Sequence, residues 1–436
     1  MSTFRASHAL PVDAATAYAW HAHPGALERL LPPFAGVRLL GAGGGIGDGA
    51  RTELSVPLLG PLRARWVARH EPPQPGSSFC DVQERGPFAA WRHVHRFVPT
   101  AVGCTLEDEV EYALPGGALG GALAGGLVAR DLARGFAWRQ RRTAFDLEHL
   151  ARGTGRPPLT VAITGAGGMV AGQLRPFLTS GGHRVISLRR GAARHGDEAA
   201  WDPATGRIDD AALDACDAVV HLAGANVARR WTAAGKALIR DSRVDPTRAL
   251  CSALAARAKR PRVLICASGV GYYGDRGDDE VDEQASPGGD FLADVCRGWE
   301  DACEPARQAG IRVVNLRIGV VLSPLGGALA KLLPPFRCGG GGRVGSGRQV
   351  MSWISLDDLV YALHHALISA DLSGPVNATA PAPASNAVLT ATLARVLHRP
   401  HLLPLPAWAV GALFGEMGRT LLLTGVRAVP RRLQES

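Results

Sequence analysis

Residues 159–172, LTVAITGAGGMVAG, restrict what this chain can fold into more than any other stretch. Residues 159–164 read as a short, fully buried strand with a glycine turn directly after it. Residues 173–180 read as a helix and 183–190, HRVISLRR, as a second strand. A strand, a glycine turn, a helix and another strand make one mononucleotide-binding unit of a parallel α/β sheet. The turn brings backbone N–H groups and a helix N-terminus against a pyrophosphate, and side chains at its glycines would block that approach. The small-residue positions are Gly165, Gly168 and Ala171, alanine at the third being compatible with close helix–strand packing. Thr164, Gly165, Gly167, Gly168, Met169 and Val170 are therefore the expected contacts of a dinucleotide. The alternative is a glycine-rich crossover turn in an unrelated α/β protein.

The second strand bears on which dinucleotide. An NAD site places an acid about twenty residues past the turn, where it grips the ribose hydroxyls. Arg189 and Arg190 occupy that strand end instead. An arginine fork pairs with a 2′-phosphate that an acid would repel, so the pattern favours NADP(H) over NAD(H), unless both arginines are simply solvated. Further strands are expected over 217–222, 262–267 and 311–316, and open parallel sheets bind ligands beyond their carboxyl edges. His221, Leu222, Ala223 and Gly224 lie at the end of the first of these and are expected on the nicotinamide side. His221 alone reads equally well as a satisfied strand-end histidine. Ser268 follows the second and is the candidate to hydrogen-bond a substrate carbonyl or hydroxyl, with Tyr272 or Tyr273 as the acid. Aromatic packing about a glycine-rich turn is the alternative for the two phenols.

A chain of 436 residues exceeds what one core normally serves, so two or three domains are expected. The formal charge of +9 is carried almost wholly by arginine, lysine occurring only at Lys236, Lys259 and Lys331. That excess suits a phosphorylated cofactor or an acidic ligand. Without an aromatic-interleaved stripe it does not read as a nucleic-acid surface. Eight cysteines with no C-x-x-C pair, several inside apolar runs, suit the reduced thiols of a cytoplasmic protein. The opening MSTFRASHAL lacks the apolar core of a secretion signal, and the apolar runs at 114–128 and 402–414 are too short to span a bilayer. The expected partner is a small-molecule substrate, with no nucleic acid and no stable membrane insertion, for a monomer or homodimer.

Residues 1–150 show no glycine turn and no strand–helix alternation. Residues 12–31 read as helical, interrupted near Pro24. Strand-like runs follow at 51–56, 62–70, 78–83, 89–97 and 104–112, and 128–150 reads as one long helix. A helix, an antiparallel sheet and a closing helix suggest an α+β domain with a cavity between sheet and helix. In WRHVHRF, strand alternation puts Trp91, His93, His95 and Phe97 on one face. Two imidazoles are an incomplete metal set, so cavity-lining or hydrogen-bonding histidines are the preferred reading and no metal is expected. The polar segment 151–158, ARGTGRPP, reads as the linker to a second domain over 159–376, and 377–436 reads as a helical lobe with helices at 388–397 and 407–414.

The segments LPVDAATAYAWHAHPGALERLLPPF, GPFAAWRHVHRF and LEDEVEYALP resemble the START-like or polyketide-cyclase-like (SRPBCC) ligand-binding domain. That resemblance implies a helix-grip fold and a small hydrophobic ligand. From Val161 onward the chain resembles the epimerase-like proteins of the extended short-chain dehydrogenase/reductase superfamily, in its YfcH-like subgroup. The stretches ITGAGGMVAG, WDPATGRID, VVHLAGANVARRW, SGVGYYGDRG and DFLADVCRGWE carry the likeness, as does LRIGVVLSPLGGALAKLLPPFRCGGGGRVGSGRQVMSWISLDDLV. This resemblance implies a Rossmann fold, a nicotinamide dinucleotide and oxidoreductase or epimerase chemistry.

The superfamily's usual machinery is a serine with Tyr-x-x-x-Lys, and the comparable positions here hold Phe291 and Val295. A phenyl ring cannot shuttle a proton. Tyr272 or Tyr273 is left as the acid, with Arg240 or Arg243 setting the local potential and Lys236 read as a solvated helix residue. Asp357 and Asp358 read as acids at a helix start. Residues 339–347, with Arg343, read as an anion clamp or a mobile segment over the crevice. The expected function is an NADP(H)-dependent oxidoreductase or epimerase whose first domain holds or delivers a hydrophobic substrate. The alternative is a non-catalytic NADP(H)-sensing or ligand-carrier protein.

Overall fold

Among the residues that the computed structural model describes, 1–58 and 60–436, seven strands near the N-terminus form one antiparallel sheet. They are β1 (Ser2–Leu10), β2 (Arg38–Gly43), β3 (Arg51–Pro57), β4 (Arg63–His70), β5 (Ser78–Arg85), β6 (Ala90–Thr100) and β7 (Gly103–Ala113), in the order β1-β7-β6-β5-β4-β3-β2. Helices α1 (Ala14–Ala22) and α2 (Ala26–Arg29) lie between β1 and β2, and the long α3 (Gly117–Ala151) follows β7. The inward face of the sheet supplies Phe79, Phe97 and Leu106, which cluster with Trp20 of α1 and Leu147 of α3. Trp91, Val110 and Tyr112 cluster with Phe136 of α3. A curved sheet closed by one long helix is the helix-grip arrangement.

Three elements of this unit differ from the sequence reading, the first being β2, which lies where no strand was expected. Helix α3 begins at Gly117, well ahead of residue 128, through a glycine-rich segment that local propensity assigns to a loop. Strand β1 pairs with β7 from Ser2↔Tyr112 to Leu10↔Cys104, its more buried positions Phe4, Ala6, His8 and Leu10 alternating with the exposed Thr3, Arg5, Ser7 and Ala9. Inside, the guanidinium of Arg29 on α2 donates two 2.7 Å bonds to the carboxylate of Asp146 on α3, both side chains being wholly buried.

The chain divides into two compact units, Met1–Pro158 with Arg175–His183, and Leu159–Leu174 with Arg184–Ser436. The second is built on β8 (Thr160–Thr164), β9 (Arg184–Arg189), β10 (Glu198–Asp202), β11 (Arg207–Ile208), β12 (Ala218–His221), β13 (Val263–Gly269) and two further strands, Arg312–Ile318 and Gly374–Ala378. Helix α4 (Ala171–Ser180) joins β8 to β9. The sheet order is β11-β10-β9-β8-β12-β13, then Arg312–Ile318 and Gly374–Ala378, parallel except for the β10–β11 hairpin. Strands β8, β12 and β13 carry near-continuous apolar runs because both faces are covered.

The sequential order reverses between β8 and β12, the topological switch point at which such sheets open a ligand crevice. Helices Asn386–Leu397 and Ala407–Gly418 follow, and the tail returns as Arg427–Ala428, pairing in parallel with Glu280–Val281. Among the described residues, no helix is long and apolar enough to cross a membrane.

Candidate active site

The turn after β8 is shaped by Gly165. Its φ is +69°, and a Cβ there would lie 2.9 Å from the carbonyl carbon and oxygen of Leu222, so the end of β12 runs directly against the turn. A Cβ on Gly167 would meet no atom within 4 Å, so this glycine faces open space where a pyrophosphate can approach. Gly168 donates its N–H to the Gly165 carbonyl at 2.8 Å, closing the turn. Met169 packs its sulfur toward Gly326, at 3.1 Å from where a Cβ would stand. Val170 accepts from the N–H of Leu174 at 2.9 Å and starts α4. A dinucleotide's pyrophosphate fits this cradle, which is open at Gly167 and edged by the N-terminus of a helix.

The two strand ends flanking the crevice are tied by one hydrogen-bond chain. Thr164 Oγ1 accepts from the backbone N–H groups of Leu222 at 3.1 Å and Ala223 at 3.3 Å, and bonds His221 Nδ1 at 2.8 Å. His221 Nε2 bonds Thr247 Oγ1 at 2.8 Å, and that hydroxyl donates to the Arg243 carbonyl at 2.5 Å. Since the Thr247 proton is spent on the carbonyl, Nε2 carries the imidazole proton and Nδ1 accepts from Thr164. Burial pushes the His221 pKa down to about 4 and keeps the ring neutral. His221 is thus fully occupied as a pin, while Leu222, Ala223 and the exposed Gly224 present the crevice wall. Arg243 is buried beneath it, donating to the carbonyls of Ala225 at 2.9 Å and Ile239 at 3.0 Å.

Across the sheet, Ser268 lies beside Arg317 on the neighbouring strand. Its hydroxyl donates to Glu300 Oε1 at 2.7 Å, and Arg317 Nε and Nη2 each reach the same carboxylate at 2.8 Å. Arg317 Nη1 donates at 3.0 Å to the Tyr273 hydroxyl, which in turn donates to Asn377 Oδ1 at 2.7 Å. Tyr273 is wholly buried and its pKa is pushed up to about 12, chiefly by burial. Tyr272 is only half-buried, and its ring lies 3.4 Å from the Arg317 guanidinium carbon. The two phenols therefore have different surroundings, one locked in a polar network and one at its margin.

Sequence reading did not find Glu300 or Arg317. The signal available was a lone arginine inside the apolar strand run VVNLRIGVV.

Phe291 and Val295 join Trp231, Ile239, Met417 and Leu421 in an apolar cluster. Lys236 is engaged, with its ammonium 2.6 Å from Glu416 and 5.1 Å from the centre of the Phe291 ring. Arg240 pairs with Asp241 at 2.9 Å. The start of helix Leu356–Ile368 is capped by Ser355, which accepts from the Asp358 N–H at 3.0 Å, with Asp357 and Asp358 in the first turn. The loop 339–347 is tied down, its Arg343 carbonyl and Gly345 N–H each bonded at 2.8 Å to Leu405. An open groove of about 510 Å³ runs beside Tyr273 and Gly274, with Asp275, Arg276 and Asp290 on one side and Thr420 and Thr424 among its other walls.

Three family models match the chain. One for the NAD dependent epimerase/dehydratase family matches residues 161–378, one for polyketide cyclase / dehydrase and lipid transport matches 10–141, and a domain of unknown function matches 405–436. An epimerase family protein of Mycobacterium tuberculosis is 48% identical over 277 residues, covering 63% of this chain and 91% of the relative. The solved structure of a nucleoside-diphosphate sugar epimerase from Corynebacterium glutamicum is 36% identical with a TM-score of 0.81, covering 99% of this chain and 86% of that one. The human epimerase family protein SDR39U1, solved with NADPH, is 33% identical with a TM-score of 0.58, covering 64% of this chain and 93% of that one.

The expected preference for NADP(H) is corrected. UDP-sugar 4-epimerases of this fold from Bacillus cereus and Thermus thermophilus, 18% and 17% identical with TM-scores of 0.50, are complexes with NAD. In this chain Arg189 is paired with the carboxylate of Glu198, on the strand beside it, whose register places Glu198 opposite Ser187. Arg189, one of the two arginines read as a 2′-phosphate clamp, already has its counter-charge, which leaves the exposed Arg190 in place of the two-arginine site that the sequence alone suggested.

Proposed function

Because this chain belongs to the NAD-dependent epimerase/dehydratase family, we propose that its second unit is an oxidoreductase or epimerase acting on a hydroxylated small molecule. The nicotinamide of the bound dinucleotide would supply hydride acceptance and return at a carbinol carbon. The observation that carries this reading is the pinned crevice at the switch point, where Gly165, Gly167 and the chain from Thr164 to His221 hold a phosphate-sized cradle open. In this reading the backbone N–H groups of the turn bind the pyrophosphate and Leu222–Gly224 line the nicotinamide side. Ser268 turns its hydroxyl from Glu300, which both Arg317 donors still hold, to donate to the substrate oxygen, leaving the substrate's own proton for exchange. Tyr272 exchanges the substrate proton, a role that Phe291 cannot fill.

The polar walls of the groove beside Tyr273 and the likeness to the nucleoside-diphosphate sugar epimerase of Corynebacterium glutamicum both support a polyhydroxylated substrate, a nucleotide sugar among them. We assign hydrophobic-ligand binding to residues 1–150 and the helical lobe to 377–436, and propose a cytoplasmic location on eight free thiols, seven buried and Cys338 exposed.

A second reading is favoured by Phe291 and Val295, whose own side chains carry no ionisable group where the usual proton-transfer pair would stand. On that reading the unit binds a dinucleotide without turnover. Titration of the purified protein with NADH and, separately, NADPH, followed by a carbonyl-substrate screen, separates the two. Binding with substrate-dependent oxidation of the reduced nucleotide supports the enzyme. Binding with no oxidation by any UDP-hexosulose or simple ketone supports the second reading, and no binding of either nucleotide removes both.

A further inference from the structure

The helix-grip unit carries a second polar centre that the oxidoreductase reading does not use. Strand register builds it: His70 on β4 is paired with Asp81 on β5, Asp81 with His93 on β6, and His95 with Asp108 on β7. Cross-strand partners have their Cβ atoms about 4.5–5.5 Å apart, so this ladder of histidines and aspartates lies on one inward face. Phe136 of α3 meets the His93 ring edge-on at 5.2 Å, and Phe79 stacks on His95 at 4.1 Å. One ligand atom from each of Asp81, His93 and His95 lies within 4.8 Å of the others, and both imidazoles are buried.

The His93 ring stands between two carboxylates, Nε2 at 3.2 Å from Asp108 Oδ1 and Nδ1 at 3.3 Å from Asp81 Oδ2. When only Nε2 carries a proton, the Nδ1 lone pair and Asp81 Oδ2 are two acceptors facing one another. Two atoms bound to one ion at about 2.0–2.1 Å in a tetrahedral site are separated by about the 3.3 Å seen between Nδ1 and Oδ2. His95 Nδ1 lies 2.8 Å from Asp108 but without hydrogen-bond direction, so this buried nitrogen has no hydrogen-bond partner, and neither has His70 Nδ1. The acid that holds His93 from behind is the carboxylate–histidine pattern that orients metal ligands.

We propose that Asp81, His93 and His95 bind a divalent first-row transition-metal ion inside the helix-grip domain. Two histidines and one carboxylate leave coordination positions open. Asp81 and Asp108 together balance the ion, and Arg139, which faces both carboxylates, adds one positive charge, so the open position suits an anionic or carbonyl oxygen. The competing occupant is a proton shared between His93 and Asp81.

Untagged full-length protein, stripped with a chelator and returned to metal-free buffer, is titrated with CoCl₂. The expected result is one Co²⁺ per chain with visible ligand-field absorption, displaced by Zn²⁺ and weakened at least about tenfold in Asp81→Asn and in His95→Gln. No Co²⁺ binding, or unchanged affinity in both variants, overturns the proposal in favour of the proton. A crystal grown with ZnCl₂ and measured at the zinc edge decides the matter on the unaltered sequence. An anomalous peak between the three side chains supports the site, and peaks only elsewhere overturn it. Neither result depends on dinucleotide binding.

Discussion

Replacing Gly165 and Gly167 by alanine, one at a time, separates what the glycine turn does for folding from what it does for binding. At Gly165 the backbone sits at φ +69°, and an added Cβ would come 2.9 Å from the Leu222 carbonyl. The left-handed conformation costs a non-glycine residue about 1–2 kcal/mol, and forcing a methyl into packed backbone costs about 1–3 kcal/mol. Gly165→Ala should therefore lose roughly 2–5 kcal/mol of stability. At Gly167 the Cβ meets nothing within 4 Å, so Gly167→Ala should stay within about 0.5 kcal/mol of the parent. Its methyl nonetheless projects into the space a pyrophosphate would enter, and NADH affinity should fall about tenfold or more, a loss of about 1.4 kcal/mol. Urea denaturation gives the first quantity and fluorescence titration with NADH the second. If Gly167→Ala binds NADH as tightly as the parent, the turn does not hold the pyrophosphate and the crevice assignment fails.

Three further outcomes are expected. Tyr272→Phe should lower kcat by about 10²–10⁴-fold with stability unchanged. Tyr273→Phe should cost about 1–3 kcal/mol by leaving Asn377 Oδ1 without its phenol donor and Arg317 Nη1 without its phenol acceptor, and a steady-state assay beside a denaturation curve that shows the reverse would exchange their roles. His221 is held neutral, its folded pKa being pushed from 6.5 down to about 4. The stability it contributes is complete above pH 6.5 and declines as pH falls toward 4, by up to about 3 kcal/mol. His221→Gln should flatten that slope in urea midpoints measured between those limits. Asp146→Asn should cost about 3–5 kcal/mol by stranding the buried Arg29 guanidinium, and a loss under 1 kcal/mol in calorimetry would show that Arg29 is held by other groups.

What could be read from the sequence was local or periodic. The strand that the apolar run 159–164 predicts is observed as Thr160–Thr164, because a buried parallel strand is a continuous apolar run whose glycine turn is written beside it. The α+β and parallel α/β classes were likewise legible through the order of their elements, and the helix-grip and Rossmann folds through the family resemblance of their motifs. The first turns of α3 were not, since Gly117, Gly120 and Gly121 argue locally for a loop. The remaining differences arise from pairings that no local pattern encodes. Glu198 neutralises Arg189 only because β10 lies beside β9 in that register. Asp81 joins His93 and His95 only because β5 and β6 align them, and a slip of one residue would turn the carboxylate to the opposite face. Ser268 was visible as a strand-end hydroxyl, but its partner Glu300 comes from a helix thirty-two residues on.

The Glu300–Arg317 pair also limits how related sequences can drift. A lineage that loses Glu300 first leaves a guanidinium enclosed in the sheet without its counter-charge, at a cost of about 3–5 kcal/mol. That is a large share of the roughly 5–15 kcal/mol by which a folded domain exceeds its unfolded state. An apolar pair of matching volume can replace both residues at little cost, yet no single substitution leads there without crossing the deficit. The two positions should therefore change together or persist together, and the hydroxyl of Ser268 keeps its resting acceptor for as long as they persist.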